Sequence, residues 1–193
     1  MMRSTTTRTS WWRLPAGCRD EAHRRRRLVR RYTRSLLSAL GDMKPNPAYV
    51  SAVIESLRMA PYPAMIGMTI ASLEIDRCRI ELPLRHDHLQ PFGIVHGGVL
   101  ATLIDTATFW AAFMRLPEDA GLVNVDLKLN YLKAVAGGRL RAEGECLRAG
   151  RQISYTIASV YGEDDELVAH GTSTMMALPG KGLRIGVPKF VAD

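Results

Sequence analysis

The chain has 193 residues, with 26 basic and 19 acidic side chains and 47% hydrophobic content. That length suits one domain with a tail, able to bury a core without disulfide or metal staples. The apolar content excludes a wholly disordered chain, and the modest Gly and Pro counts exclude a fibrous one. No run approaches the roughly 18 apolar residues of a membrane span. Three scattered cysteines, Cys18, Cys78 and Cys146, form no CxxC pair and fit a reducing, cytoplasmic setting.

The net charge of +7 is unevenly placed. Residues 1–42 hold eleven arginines against three acids, whereas the remainder holds 15 basic and 16 acidic residues. The body is therefore near neutral, and a nucleic-acid reading of it would be an error of averaging. The basic segment lacks the apolar core of a secretory signal. It reads as a disordered or partly helical extension, or as sequence upstream of a start at Met43. A phosphate-binding arm and a cleaved organellar presequence are the competing readings.

From Met43 the elements follow in order. Residues 46–59 carry Val50, Val53, Ile54, Leu57 and Met59 at helical spacing, with Asn46 as N-cap and Pro47 opening the helix. Pro61 and Pro63 stop it. Residues 66–84 read as an extended strand, and 85–96 as a polar loop punctuated by Pro91 and Gly93. Residues 97–115, GGVLATLIDTATFWAAFMR, are apolar nearly all round, as in a buried core helix. Four strand-like runs follow at about 122–134, 138–149, 152–162 and 166–178, with short connections that predict consecutive antiparallel hairpins. Residues 179–193 read as an irregular tail. An antiparallel sheet wrapped around one buried helix, an α+β fold, is the simplest way to hide that helix.

Asp105 is the only charge between Gly97 and Met114. A carboxylate there costs several kcal/mol of desolvation unless paired or functional. Burial would raise its pKa, which suits a general base at neutral pH. A hydrogen bond to Thr102, Thr106 or a partner strand is the plainer alternative. His96-Gly97-Gly98 opens the same helix, where unpaired N–H groups and the dipole favour an anion or oxyanion. Two glycines there let a ligand approach the backbone.

The run HLQPFGIVHGGVLATLID, His88 to Asp105, resembles the active-site segment of hotdog-fold acyl-CoA thioesterases, nearest the phenylacetic-acid-degradation (PaaI-like) branch. The later segments VNVDLKLNYLKAVAGGRLRAEG and AGRQISYTIASVYGEDDELVAHGTSTM resemble that family's strands. The likeness covers about residues 48–178, so the chain divides into the basic extension 1–42, a hotdog domain 43–178 and a tail 179–193. It implies hydrolysis of an acyl- or aryl-CoA to free acid and coenzyme A, without metal or organic cofactor.

The resemblance also implies roles. Asp105 activates water or attacks the carbonyl, the Gly97 N–H polarises the thioester oxygen, and Gln90 orients the water or the thioester. His96 shapes the loop near the thioester. Asn124 stands where Ser or Thr is usual, so its role departs from the pattern. Phe109 replaces a small polar residue of another branch. With Trp110 and Phe113 it shapes an acyl or aryl pocket, or packs as core. Gly98 admits the substrate at the helix start. Lys133, Arg139, Arg148 and Arg151 are candidates for the coenzyme's phosphates, or else solvated charges. The family's homodimers, or dimers of dimers forming a homotetramer, would set Gln90 and Gly97 of one chain against Asp105 of its neighbour. Rival readings are a hotdog dehydratase, an acyl-CoA-binding protein without turnover, and a metal site built from His86, Asp87, His88 and His96.

Overall fold

The computed structural model describes residues 43–192, so the basic extension and Cys18 lie outside the described residues. The chain runs β1 (Met43–Pro45), α1 (Pro47–Met59), α2 (Pro61–Ile66), β2 (Thr69–Glu74), β3 (Arg77–Pro83), a 3-10 turn (His86–His88), α3 (Gly97–Phe113), β4 (Gly121–Tyr131), β5 (Arg139–Ala149), β6 (Ile153–Tyr161), β7 (Leu167–Leu178) and β8 (Phe190–Ala192). One antiparallel sheet of six strands, in the order β2-β3-β5-β6-β7-β4, packs around α3. Leu103, Ile104, Ala107, Ala111 and Ala112 of α3 are fully buried against it. Two glycines set the depth of that packing. A Cβ on Gly144 would strike the Ala107 carbonyl, and one on Gly171 would lie 2.8 Å from the Ile104 side chain. Among the described residues no helix is long and apolar enough to cross a membrane.

Asn46 caps α1 as expected, its side chain accepting the Ala48 N–H at 3.0 Å. Three readings of the sequence need correction. Pro61 and Pro63 end α1 but also open a second short helix, α2, because proline fits the first turn, where no N–H is needed. Residues 66–84 are not one strand but a helix end followed by the β2–β3 hairpin. Asp76 turns that hairpin in the left-handed region, at φ 66°, and its carboxylate pairs with buried Arg115 at the end of α3. The partner is 39 residues away, so local pattern could not reveal the turn.

The third correction is topological. β5, β6 and β7 are consecutive hairpins, but β4 pairs with β7, three strands from β5. Residues 132–138 cross the end of the sheet to make that step. Seven extended residues reach about 23 Å and three strand spacings need only about 14 Å, so a short link suffices.

The tail is irregular over 179–189, as expected, and ends in β8, which pairs with β1. Lys189 beside it is wholly buried. Its ammonium donates to the carbonyls of Phe113 and Leu116 at 2.6 and 2.9 Å and lies 4.0 Å from the centre of the Phe113 ring. Asn46 holds the same stretch by donating to the carbonyls of Pro188 and Lys189.

Burial pushes the Lys189 pKa down to about 7, with Glu118 opposing. Between pH 7 and the unfolded value near 10.4 the unfolded chain therefore holds a proton that the folded chain lacks. Stability should rise with pH across that window, the burial cost being fully present below it. Urea midpoints at pH 7 and pH 9 for wild type and Lys189→Met should show a steeper rise in the wild type. Buried Cys78 and Cys146 affect both proteins alike. Equal slopes would refute the account.

Candidate active site

The site gathers around α3 and the edge strand β4. Asp105 sits midway along α3 and is half-buried rather than enclosed. Its Oδ1 accepts a short hydrogen bond from Asn124 Nδ2 on β4, while Oδ2 accepts none from the described residues. The partner is thus the strand. Thr102 instead donates to the Gly98 carbonyl and meets Tyr62 of α2.

A bulge aims Asn124. Asn124 pairs with Met175 and Asp126 with Thr174, leaving Val125 as the extra residue. Inward positions therefore switch from Leu122 and Asn124 to Leu127 and Leu129, which keeps Asn124 under the helix. The Asn124 carbonyl in turn accepts a 2.7 Å bond from Ser173 Oγ on β7. Ser173 is wholly buried. Sequence reasoning missed Ser173, though the break in alternation through LVNVDLKL signals the bulge that brings Asn124 to it.

At the start of α3, His96 is the N-cap. Its Nδ1 accepts the Gly98 N–H at 2.8 Å, so a neutral ring carries its proton on Nε2. Gly98 is therefore spent on the cap. Gly97, the first helical residue, has an N–H with no intrahelical acceptor. Both glycines have packing reasons. A Cβ on Gly98 would lie 2.9 Å from His96 Nδ1, and one on Gly97 would lie 3.0 Å from the Tyr131 ring. Tyr131, which sequence reasoning also missed, donates to the Gly97 carbonyl at 3.2 Å.

Gln90 lies in the preceding loop, its Oε1 accepting the Phe92 N–H at 2.6 Å. No hydrogen bond joins it to Asp105 within the chain. The loop holds itself through Gly93 N–H to Gln90 O and Gln90 N–H to Ile94 O, both 2.8 Å. His86 and His88 lie in a 3-10 turn, so they do not alternate on one face of a strand as two ligands of a metal reading would. Among the described residues no group of three His, Cys, Asp or Glu is placed to hold a metal ion.

One turn beyond Asp105, half-buried Phe109 stacks on Phe113 at 5.8 Å and meets Trp110 edge-on at 5.2 Å. The three rings line a cavity of about 580 Å³ with Leu57, Leu122 and Leu183. Trp110 and Phe113 are buried, so they pack as core and line the cavity at once. Of the basic candidates, Lys133 pairs with Asp164 and Glu166, and Arg139 with Glu81. Arg148 and Arg151 border an open groove of about 670 Å³ beside Tyr155.

With this geometry in view, the likeness to known proteins is direct. The thioesterase superfamily pattern matches residues 92–169. The proofreading thioesterase EntH of Klebsiella pneumoniae is 31% identical over 100 residues, covering 52% of this chain and 73% of that protein. A thioesterase-family structure from Silicibacter pomeroyi aligns at 32% identity and a TM-score of 0.63, covering 68% of this chain and 99% of that one. The chain belongs to the thioesterase superfamily. Its sheet and central helix are the hotdog fold of that family of thioester hydrolases. A Haemophilus influenzae thioesterase has the same TM-score of 0.63 at 25% identity, covering 67% of this chain and 90% of that one.

Replacing the His96 cap by alanine should cost about 1 kcal/mol, and asparagine should restore most of it. Denaturation midpoints of His96→Ala and His96→Asn check this. Equal losses in both variants would mean that the imidazole contributes something other than a cap.

Proposed function

We propose that the protein hydrolyses an acyl- or aryl-CoA thioester to a free acid and coenzyme A, with Asp105 as the reacting carboxylate. The observation that carries this reading is the half-exposed carboxylate on an otherwise apolar helix, held by one amide and with its second oxygen open. Asp105 takes a proton from water as the water attacks the thioester carbonyl, or attacks the carbonyl itself. The Gly97 N–H, at the positive end of the helix, holds the oxygen as it gains charge. Collapse of the adduct releases the coenzyme A thiolate, leaving the free acid where water attacked. Where Asp105 attacked, water then hydrolyses the mixed anhydride, releasing the acid and restoring the carboxylate.

The spacing of these two groups argues for a site shared between two chains. Gly97 and Asp105 are eight residues apart, about 12 Å along the axis. An attacking atom must lie within about 3.5 Å of the carbonyl carbon, whose oxygen must sit about 3 Å from the donor. One chain cannot meet both demands, whereas an antiparallel second copy can. The edge strand β4 supports that pairing, because it leaves Val123, Val125 and Tyr131 exposed on an unpaired rim. Gln90 and Gly97 of one protomer then face Asp105 of its partner, in a homodimer or a dimer-of-dimers tetramer.

The cavity beyond Phe109 receives the apolar acyl or aryl group. Arg151, on the open groove that Arg148 also borders, is the better phosphate candidate than Lys133, which already has two acidic partners. The buried free thiols Cys78 and Cys146 fit a reducing cytoplasm.

Free-thiol release from phenylacetyl-, 4-hydroxybenzoyl-, butyryl- and octanoyl-CoA tests the reading. Asp105→Asn should fold and lose about a hundredfold or more of turnover, since an amide cannot take the proton. Near-wild-type turnover would sink the assignment. Binding of these esters without turnover by the wild type would favour the binding-protein reading.

A mixed oligomer tests the sharing. Asp105→Asn and Gln90→Ala should each be impaired alone. Co-expressed, they should regain about a quarter of wild-type sites, because random pairing restores one intact site per mixed dimer. Activity no greater than the average of the two parents would place both residues in one chain's site.

A further inference from the structure

We propose that Ser173 is a positioning residue for Asp105, acting through Asn124. The inference rests on the reading of Asp105 as the reacting carboxylate. Three side chains from three elements form one line: Ser173 Oγ on β7 donates to Asn124 Oδ1 at 2.7 Å, and Asn124 Nδ2 on β4 donates to Asp105 Oδ1 on α3. An amide has a donor end and an acceptor end of nearly the same shape. Turned over, Asn124 would set its carbonyl oxygen against the carboxylate. The Ser173 hydroxyl, donating from the far side, holds the amide in the useful orientation.

The sheet fixes this donor. Ser173 is wholly buried, and its own carbonyl accepts the hydroxyl of buried Thr156 across the β6–β7 ladder at 3.1 Å. Its position opposite Leu127, just past the Val125 bulge, brings its hydroxyl to Asn124. A buried hydroxyl costs free energy unless bonded, and Asn124 is the partner of the Ser173 hydroxyl among the described residues. An ionised carboxylate only accepts, so it demands N–H from Asn124, and the Ser173 hydroxyl then answers the carbonyl at the amide's other end. An apolar residue at 173 leaves that carbonyl without its donor.

Steady-state kinetics of Ser173→Ala, Asn124→Ala and the double variant test this, on whichever of the four esters shows Asp105-dependent turnover. Ser173 touches no substrate, so its loss should lower kcat about tenfold and leave KM within about twofold. Because Ser173 acts through Asn124, the double variant should be no slower than Asn124→Ala alone. Wild-type kcat in Ser173→Ala would overturn the proposal. So would a double variant that loses the product of the two single effects, as independent structural damage would. Should Ser173→Ala fail to fold, Ser173→Cys keeps the volume, weakens the donor and carries the same comparison. Turnover retained in Asp105→Asn, or absent in wild type for all four esters, would remove the parent reading. Loss in Asp105→Asn with no effect at Ser173 would remove this inference alone.

Discussion

An almost wholly apolar helix must be hidden, and its unpaired terminal groups must be answered where they emerge. Most of the architecture follows from that constraint. The sheet curls around α3, Gly144 lets the helix backbone at Ala107 sink onto the strand, and Gly171 makes room for the Ile104 side chain. The two ends are then treated differently. At the C-terminal end two buried basic side chains lie at the negative pole: Arg115, paired with Asp76, and Lys189, bonded to two carbonyls. At the N-terminal end only one amide is taken up by the neutral ring of His96. The C-terminal end is anchored, and at the N-terminal end the Gly97 N–H has no intrahelical acceptor.

The polar residues beneath the helix extend that logic. Most buried hydroxyls and amides need a partner. Asn124 has Asp105 on one side and Ser173 on the other, and Thr156 bonds the Ser173 backbone. The Val125 bulge makes this possible by keeping Asn124 and Leu127 on the same face despite their odd spacing. A regular strand would have turned one of them outward.

Much of this could be read from the sequence, and the failures share a cause. The cap at Asn46, the buried helix, the HGG start and the anomalous Asp105 are local patterns of periodicity and charge, and they stand where expected. The β2–β3 turn at Asp76, the burial of Lys189 and the link from Asn124 to Ser173 depend on partners 39, 76 and 49 residues distant. No local pattern carries those distances. The pairing of β4 with β7 is of the same kind, since hairpin signals say which strands can pair but not which one closes a curved sheet. The two glycines of HGG are a subtler case. Sequence alone suggested room for a ligand, whereas Gly98 makes room for the His96 ring and Gly97 for the Tyr131 ring.

In the proposed dimer each half of the site is prepared within its own chain. The oxyanion donor is held by the His96 cap and by Tyr131 against the Gly97 backbone. The carboxylate is held by the line from Ser173. Association would then bring two prepared halves into register, with little further side-chain ordering to add to the cost of association itself. The edge strand that makes the contact is the strand that carries Asn124. Its bulge therefore fixes the register of the exposed rim and the aim of the amide together. A slip of one residue between the two edges would turn interface side chains to the wrong face and move each carboxylate away from the opposite helix start. In that dimer, assembly and alignment of the reacting groups would depend on the same few residues of β4, so a paired edge would also be an aligned site.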